Sequence, residues 1–316
     1  MPKLSLAQSR SQAVASFEFG LLALLGILWG VPYALTKLAL ETIPPITLTA
    51  ARVSLAAGAL WAVVVMLRRK LPPDWWRFWG DLTIQAACAC LIPYTLLAFG
   101  QQSVDSALTA ILNSSTPLFV CLIAVLWTRH ERLTAGRWSG VIIGLMGVVA
   151  VVGASALWGI GGDVMAQAAI VLATFSSAVS VIYGRRFLHF PPELVGAGML
   201  TSAALILVPL ALVFEAPWHI APSTVSLVAL SLNGLVITAF GFLLYFRLIK
   251  TLGSLATSSA SYLKPAVGVL IGCVLMNEPV TWTVGFGLLA ILVGITAINN
   301  SASAELSSLR VGTRVP

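Results

Sequence analysis

The sequence predicts an all-α integral membrane protein in which ten transmembrane helices form two five-helix inverted repeats. Three observations carry this prediction: the composition, ten apolar runs, and the way Lys and Arg alternate between loops. Of the 316 residues, 59% are hydrophobic and only 9% are charged, and the mean hydropathy is +0.97. An average soluble domain is about 25% charged. The composition therefore excludes a soluble globular protein, a disordered chain and a nucleic-acid-binding protein, despite a net charge of +7.

Ten apolar runs along the chain have the length that a bilayer requires, which is about 20 residues per helix. The predicted spans are 19–38, 47–67, 82–99, 108–128, 138–153, 166–183, 194–214, 225–246, 255–276 and 282–298. The runs are continuous, whereas a membrane β-barrel needs alternating segments of about 10 residues. The first run is too long for a cleaved signal peptide and predicts a retained helix.

The positions of Lys and Arg predict the orientation. Fifteen of the 18 Lys and Arg residues lie in the termini and in every second loop, and the other loops contain none. Because excess Lys and Arg marks the cytoplasmic side, both termini are predicted to be cytoplasmic. The remaining three cations are Lys37, Arg52 and Lys264. Lys37 and Arg52 lie towards the outer ends of their spans, where they are predicted to snorkel as anchors or vestibule residues.

An internal repeat relates the two halves of the chain. The matching positions are Pro117, Glu131, Thr134, Gly140 and Gly147 in the first half and Pro265, Glu278, Thr281, Gly287 and Gly294 in the second. The predicted units are residues 1–155 and 156–300, followed by a flexible cytoplasmic tail, 301–316. Because each half has an odd number of spans, the second copy enters the membrane inverted. Inverted repeats are typical of secondary transporters with a midplane site between the halves, although some channels share them.

These features resemble a known family. The five-plus-five helices, the Leu28-Trp29-Gly30 element and the paired Pro…Glu-x-x-Thr…Gly blocks resemble the drug/metabolite transporter superfamily in its EamA-type branch. The resemblance covers essentially the whole chain from about residue 17 to residue 300. Within the branch, the chain is most similar to bacterial inner-membrane exporters of aromatic and other neutral amino acids. This implies a multi-pass protein of the inner (plasma) membrane.

Polar stripes mark the fourth and ninth predicted helices. At helical spacing, they comprise Ser106, Thr109, Asn113 and Thr116 in the fourth and Ser254, Thr257, Ser261 and Lys264 in the ninth. Pro117 and Pro265 lack an N–H, so the carbonyls of Asn113 and Ser261 are expected to lose their helical donors. The sequence predicts two hinge prolines and a polar cavity facing both stripes. The alternative is a packed interface in which Ser and Thr hold the helices together.

Lys264 is the most informative residue, because it lies near the middle of its predicted span. A cation there costs about 2.5–3.5 kcal/mol on insertion scales. All eleven Asp and Glu residues fall at span ends or in loops. The missing anion is therefore predicted to arrive with the substrate as a carboxylate, and a lipophilic-cation substrate is disfavoured. Three alternatives stay open: a neutral Lys264, a Lys264 held by helix carbonyls, and a role in proton coupling.

Three aromatic residues beside prolines extend the predicted site. Trp29 and Tyr33 share one face of the first span beside Pro32, and Tyr94 adjoins Pro93 in the third. Such rings can line an amphipathic pocket and contact a substrate side chain. The alternative for each ring is ordinary core packing.

The predicted function is secondary transport that exports neutral, especially aromatic, amino acids by alternating access. The predicted substrate-binding residues are Lys264, Asn113, Ser261, Trp29, Tyr33 and Tyr94. The alternatives are an exporter of organic anions or phosphorylated metabolites and, less favoured, a channel. No catalytic cluster, metal-ligand spacing or phosphate-binding loop is present, so we expect no enzyme activity, metal or cofactor. The expected partners are the lipid bilayer and small-molecule substrates, without nucleic acid, and a monomer is expected.

Overall fold

The fold was analysed in a computed structural model of the chain. It describes residues 17–123, 135–158, 164–245, 247–248, 251, 260–279, 282 and 285–297. These residues form helices, turns and loops, with no strand among them. The predicted tail, 301–316, and Ser254 and Thr257 of the ninth-helix stripe lie outside the described residues.

Seven helices are long and apolar enough to cross a membrane. They are α1 (Phe17–Leu40), α2 (Pro45–Met66), α3 (Trp75–Gly100), α4 (Ser106–Ile123), α6 (Val164–Phe187), α7 (Pro192–Phe214) and α8 (Thr224–Tyr245). Apolar stretches of 10–17 residues lie in three further helices, which are α5 (Ala135–Trp158), α9 (Ala260–Met276) and α10 (Gly285–Ala297). An all-helical protein with many apolar helices is therefore confirmed, with seven of the predicted spans at full length.

Three of these helices lose their regular hydrogen bonding just before a proline, because proline has no N–H to donate. α1 has a turn at Val31 before Pro32, and α3 contains a π-helical turn, Ala87–Leu91, before Pro93. α4 has a two-residue turn before Pro117. Pro265 differs, since α9 runs through it as a continuous α-helix. The two predicted hinges therefore have unequal local structures.

Glycines bring α9 close to both α1 and α4. A Cβ atom added at Gly30 of α1 would overlap Val267 and lie 2.9 Å from the carbonyl oxygen of Lys264. One added at Gly268 of α9 would overlap Ala110 of α4. Small residues of this kind let helix backbones approach in membranes. The consequence is that α9 carries Lys264 to the space between α1 and α4.

The remaining helices support this arrangement through an apolar core. α2 packs along α7, the π-helical segment Leu232–Phe240 of α8 packs against α2, and the second half of α3 packs against α6. Leu60, Leu82 and Leu200 are fully buried where α2, α3 and α7 meet. This packing fixes the rotation of α2 and α3 about their axes and so the direction in which their polar side chains point.

Candidate functional site

Three predicted site residues meet at one atom. The Tyr33 hydroxyl of α1 donates to Oδ1 of Asn113 on α4 at 2.8 Å. Nζ of Lys264 on α9 donates to the same oxygen at 2.5 Å. The Lys264 ammonium also lies 5.6 Å from the centroid of the Tyr33 ring. Tyr33, Asn113 and Lys264, hereafter the central cluster, thus join three helices through one amide oxygen.

Asn113 is oriented by a further contact with α6. Its Nδ2 donates to Oγ1 of Thr174 at 3.3 Å, and that hydroxyl donates to the carbonyl of Ile170 at 2.8 Å. Both Tyr33 and Asn113 are buried, whereas Lys264 is half-buried. The amide oxygen is thereby held towards the two donors of the cluster. The arrangement presents Lys264 as a positioned cation rather than as a freely moving side chain.

The charge of Lys264 has no counter-ion among the described residues. Its hydrogen-bond acceptor is a neutral amide, and none of the ion pairs in the described part of the chain includes it. An amide dipole and an aromatic face offset part of the cost of a cation in a membrane, but they leave its net charge in place. Chemically, the central cluster is suited to hold an oxyanion beside Lys264.

The carbonyl of Asn113 has a new donor in place of the helical one. Pro117 removes the helical donor, as predicted, and the Thr116 hydroxyl donates to that carbonyl at 2.7 Å. The hydroxyls of Ser114 and Ser115 likewise donate to carbonyls three residues earlier, each at 2.6 Å. Three consecutive hydroxyl residues therefore satisfy the break locally. Asn113 contributes its side chain to the site, and its carbonyl is already occupied.

The other predicted residues lie in different surroundings. Trp29 has its ring contact with Tyr245 of α8, at a centroid distance of 5.2 Å, and flanks an apolar cluster there. Tyr94 lies under the guanidinium of Arg52. Ser261 lies in α9, and its side chain is outside the described part of the structure, as are any contacts it makes. Pro265 is buried one position after Lys264.

Arg52 makes contacts that the sequence does not predict. Its Nε donates to Oγ1 of Thr238 on α8 at 3.0 Å, and its Cζ lies 4.1 Å from the centroid of the Tyr94 ring on α3. The side chain therefore points between α3 and α8, which speaks against a snorkelling anchor and is compatible with the alternative of a vestibule residue. The signal that could have found it is the one used for Lys264: a cation within a span and no carboxylate within any span.

Lys37 has a structural role at the end of α1. Its Nζ donates to the carbonyls of Gln101 and Val104 at 3.0 and 2.9 Å, where α3 ends and α4 is about to begin. Nε2 of Gln101 in turn donates to the carbonyl of Tyr33 at 2.9 Å. Cations stabilise free carbonyls at helix C-termini in this way. These contacts tie the α3–α4 connection to α1 directly beside the central cluster.

A bundle of many apolar helices, with a lysine between them that has no counter-ion among the described residues, is typical of membrane transporters. The chain belongs to the EamA-like transporter family, whose model matches it twice, over residues 17–153 and 164–300. This family is the EamA branch of the drug/metabolite transporter superfamily that the sequence blocks resemble.

Individual relatives agree with this assignment. The chain is 23% identical to the uncharacterized transporter YoaV of Bacillus subtilis, covering 85% of this chain and 92% of that protein. It is 27% identical to the uncharacterized inner membrane transporter YedA of Escherichia coli, with 82% and 83% covered. It is 25% identical to a probable amino-acid metabolite efflux pump of Salmonella typhimurium, with 87% and 93% covered.

The fold is also similar to a solved structure. A crystal structure of a protein with 18% sequence identity superposes with a TM-score of 0.63, covering 90% of this chain and 97% of that one. At this level of identity the likeness concerns the fold alone.

Proposed function

We propose that this transporter exports neutral, especially aromatic, amino acids from the cytoplasm by alternating access. The observation that carries the proposal is the central cluster, in which Lys264 is held by Asn113 and Tyr33 without a carboxylate. A substrate carboxylate would supply the anion that the described residues do not provide. The Salmonella relative, a probable amino-acid metabolite efflux pump, supports the same substrate class.

The aromatic preference rests on Tyr33 in the central cluster and on two further predicted rings, Tyr94 and Trp29. The Tyr33 ring lies beside Lys264 within the central cluster, and the Tyr94 ring lies against the guanidinium of Arg52. Trp29 lies one helical turn from Tyr33 on α1. Aromatic rings attract one another in offset or edge-to-face contacts worth about 0.5–1.5 kcal/mol beyond buried area. In this proposal the rings contact the substrate side chain, and Asn113 and Ser261 offer polar contacts.

The topology that we propose has ten spans and two cytoplasmic termini in the inner membrane. It is supported by the alternation of Lys and Arg between loops and by the inner-membrane relative YedA. Residues 1–155 and 156–300 form the two inverted repeats, which rock about the central site. Pro117 and Pro265 act as hinges, and the break at Pro117 supports the larger bend there.

A second candidate is export of organic anions on the same fold, including phosphorylated metabolites. It is favoured by one observation, the presence of Arg52 as a second cation that points into the bundle. Two cations suit a doubly charged oxyanion better than one does. A channel is the third possibility, and it is distinguished by the absence of saturation and counterflow.

Counterflow in proteoliposomes tests these functions directly. We expect saturable exchange of phenylalanine and other neutral amino acids, and little exchange of organic phosphates or lipophilic cations. Lys264→Met removes the charge at similar side-chain length and should lower kcat/KM for phenylalanine by about 10- to 100-fold, since a charged hydrogen bond is worth about 1.5–3 kcal/mol.

The matched control is Arg77→Gln, because Arg77 is an exposed cation paired with Asp74 outside the central cluster. It should exchange phenylalanine at the rate of the unmodified protein. Undiminished exchange in Lys264→Met would remove Lys264 from the site while keeping the transporter. Exchange of phosphates in place of amino acids would overturn the first function in favour of the second.

A further inference from the structure

Arg52 has more hydrogen-bond donors than the described residues use. A guanidinium carries five N–H donors and is always charged. The Nε donor goes to the hydroxyl of Thr238. In the described ranges no other hydrogen bond and no ion pair of Arg52 is found. The four N–H groups on Nη1 and Nη2 are thus left for another acceptor.

The surroundings of Arg52 hold the guanidinium in one orientation. The ring of Tyr94 packs against it, with 4.1 Å between Cζ and the ring centroid, and the Thr238 hydroxyl accepts from Nε. Thr238 is itself fixed, because its hydroxyl donates to the carbonyl of Asn233 at 2.8 Å across a π-helical turn. The N–H groups on Nη1 and Nη2 are the part of the guanidinium that has no acceptor among the described residues. This end presents two parallel donors, which match the two oxygens of a carboxylate.

Arg52 lies at about the same depth in the bundle as Tyr33 and Asn113 of the central cluster. Tyr33 and Tyr94 lie seven and six residues before the ends of α1 and α3, and Arg52 and Asn113 lie seven residues after the starts of α2 and α4. The short connections 41–44 and 101–105 place these four helix ends on one side of the bundle. At a rise of 1.5 Å per residue, all four residues are about 10 Å below that side.

Packing and exposure connect the two cations. Lys264 lies 5.6 Å from the ring centroid of Tyr33 on α1, Arg52 lies 4.1 Å from that of Tyr94 on α3, and the second halves of α1 and α3 are in contact. Arg52, Tyr94 and Lys264 are each half-buried, so each keeps surface that a ligand can reach. No described carboxylate pairs with either cation. The two positive charges therefore lie beside tyrosine rings of two helices that are in contact, α1 and α3.

We infer that Arg52 is a second anion-binding residue of this transporter and that its Nη edge binds a carboxylate of the transported molecule. Lys264 then acts on the same molecule as a point charge, and Arg52 acts as a planar fork that selects carboxylates by shape. The inference rests on the proposed function in taking a transported carboxylate as the ligand. To the proposed function it adds Arg52 as a second binding residue, a planar pair of donors as the binding geometry, and a selectivity for carboxylates.

Binding of benzoate to the purified full-length protein in detergent tests the inference without requiring transport. Benzamide is the neutral ligand of nearly the same shape, and both affinities are measured by calorimetric titration. We expect benzoate to bind more tightly than benzamide, and Arg52→Gln to weaken benzoate about 10- to 100-fold while leaving benzamide within about twofold. Arg77→Gln should leave both ligands unchanged.

Two results would overturn the inference. One is an Arg52→Gln variant that binds benzoate as tightly as the unmodified protein. The other is an equal loss for benzoate and benzamide, which would make Arg52 a packing residue over Tyr94. If Arg52→Gln is not recovered folded, Arg52→Lys keeps the charge and removes the fork. Arg52→Lys should weaken the binding of benzoate about fivefold and leave the binding of benzamide unchanged. An unaltered benzoate affinity in Arg52→Lys would also overturn the inference.

The outcome separates this inference from the proposed function. If benzoate binding depends on Arg52 but counterflow of neutral amino acids fails, the amino-acid function is wrong and the carboxylate subsite stands for another organic anion. If counterflow of phenylalanine succeeds and neither it nor benzoate binding depends on Arg52, the function stands and the subsite is wrong.

Discussion

The two faces of the bundle neutralise their carboxylates in different ways. On the face with the ends of α2 and α8 and the starts of α1, α3 and α7, carboxylates pair with arginines. The pairs are Arg69–Glu193 at 2.5 Å, Arg247–Glu18 at 2.9 Å and Arg186–Asp81 at 3.1 Å. This is the arginine face, and it coincides with the loops that carry the Lys and Arg residues.

On the opposite, arginine-free face, carboxylates cap helix N-termini. Glu215, just after α7, accepts from the backbone N–H of Thr47 at 2.6 Å and from its hydroxyl at 2.7 Å, at the start of α2. Glu278, just after α9, accepts from the N–H groups of Ser106 and Ala107, both at 2.8 Å, at the start of α4. Free N–H groups and the helix dipole favour an anion there.

The difference explains why the centre of the bundle is left positive. Topology signals concentrate arginines on one face, so acids on the other face have helix N-termini as their partners. Both arrangements hold carboxylates at the ends of helices. Lys264 and Arg52, some way inside, have no described carboxylate in reach. A neutral interior would therefore need an anion that the described residues do not supply.

The largest expected effect concerns the cap on the arginine-free face. Glu278→Ala leaves the buried N–H groups of Ser106 and Ala107 without an acceptor, and the Ser106 hydroxyl with only the weak acceptor Sδ of Met276 at 3.6 Å. We expect the free energy of unfolding to fall by about 3 kcal/mol, measured by thermal and denaturant unfolding in detergent. Glu41→Ala, an exposed carboxylate on the same face, is the control and should change it by less than about 0.5 kcal/mol. Equal stability of the two variants would contradict a cap that holds the halves together.

How far the sequence predicts the structure differs between these regions. Hydropathy and charge alternation identify the helices because a bilayer demands long apolar runs. Helical spacing on α4, with the location of Lys264 on α9, was enough to predict that Asn113 and Lys264 share a site. The repeat identifies Glu278 as a matching position of the two halves, but not that it caps α4 in the other half of the chain. Such a partner is set by packing between helices.

Two contacts near the site depend on packing between helices and are not readable from the sequence. The direction of Arg52 and the neighbour of Trp29 depend on the rotation of α2 and α1 about their axes, which long-range packing decides. The carbonyl of Asn113, which Pro117 deprives of its helical donor, accepts from the Thr116 hydroxyl instead. A hydroxyl three residues along a helix can satisfy a carbonyl in this way, so this contact follows from the local sequence.

A smaller effect is expected on the arginine face, and it should depend on salt. Arg186→Gln removes an exposed pair with Asp81, whose other contact is a hydrogen bond from the Tyr183 hydroxyl. We expect a loss of about 0.5 kcal/mol at 0.1 M salt and almost none at 1 M, because exposed ion pairs are weak and screened. The loss in Glu278→Ala should persist at 1 M salt. If both losses vanish together in high salt, the two faces do not differ in the way described.

The smallest effect concerns Asp105, which immediately precedes α4 yet makes no side-chain cap. Burial, together with the nearby Glu278 carboxylate, raises the pKa of Asp105 above its usual 3.8, with Lys37 opposing the shift. The folded protein therefore holds this proton more tightly than the unfolded chain, so stability falls as the pH rises above about 4. Asp105→Asn should remove this loss and stabilise the protein by about 0.3 kcal/mol at pH 7, with a smaller gain at pH 4. Unfolding temperatures across that range, compared with those of Glu41→Gln, provide the measurement. A gain that is constant with pH would mean that Asp105 acts through backbone geometry at the start of α4 and not through its charge.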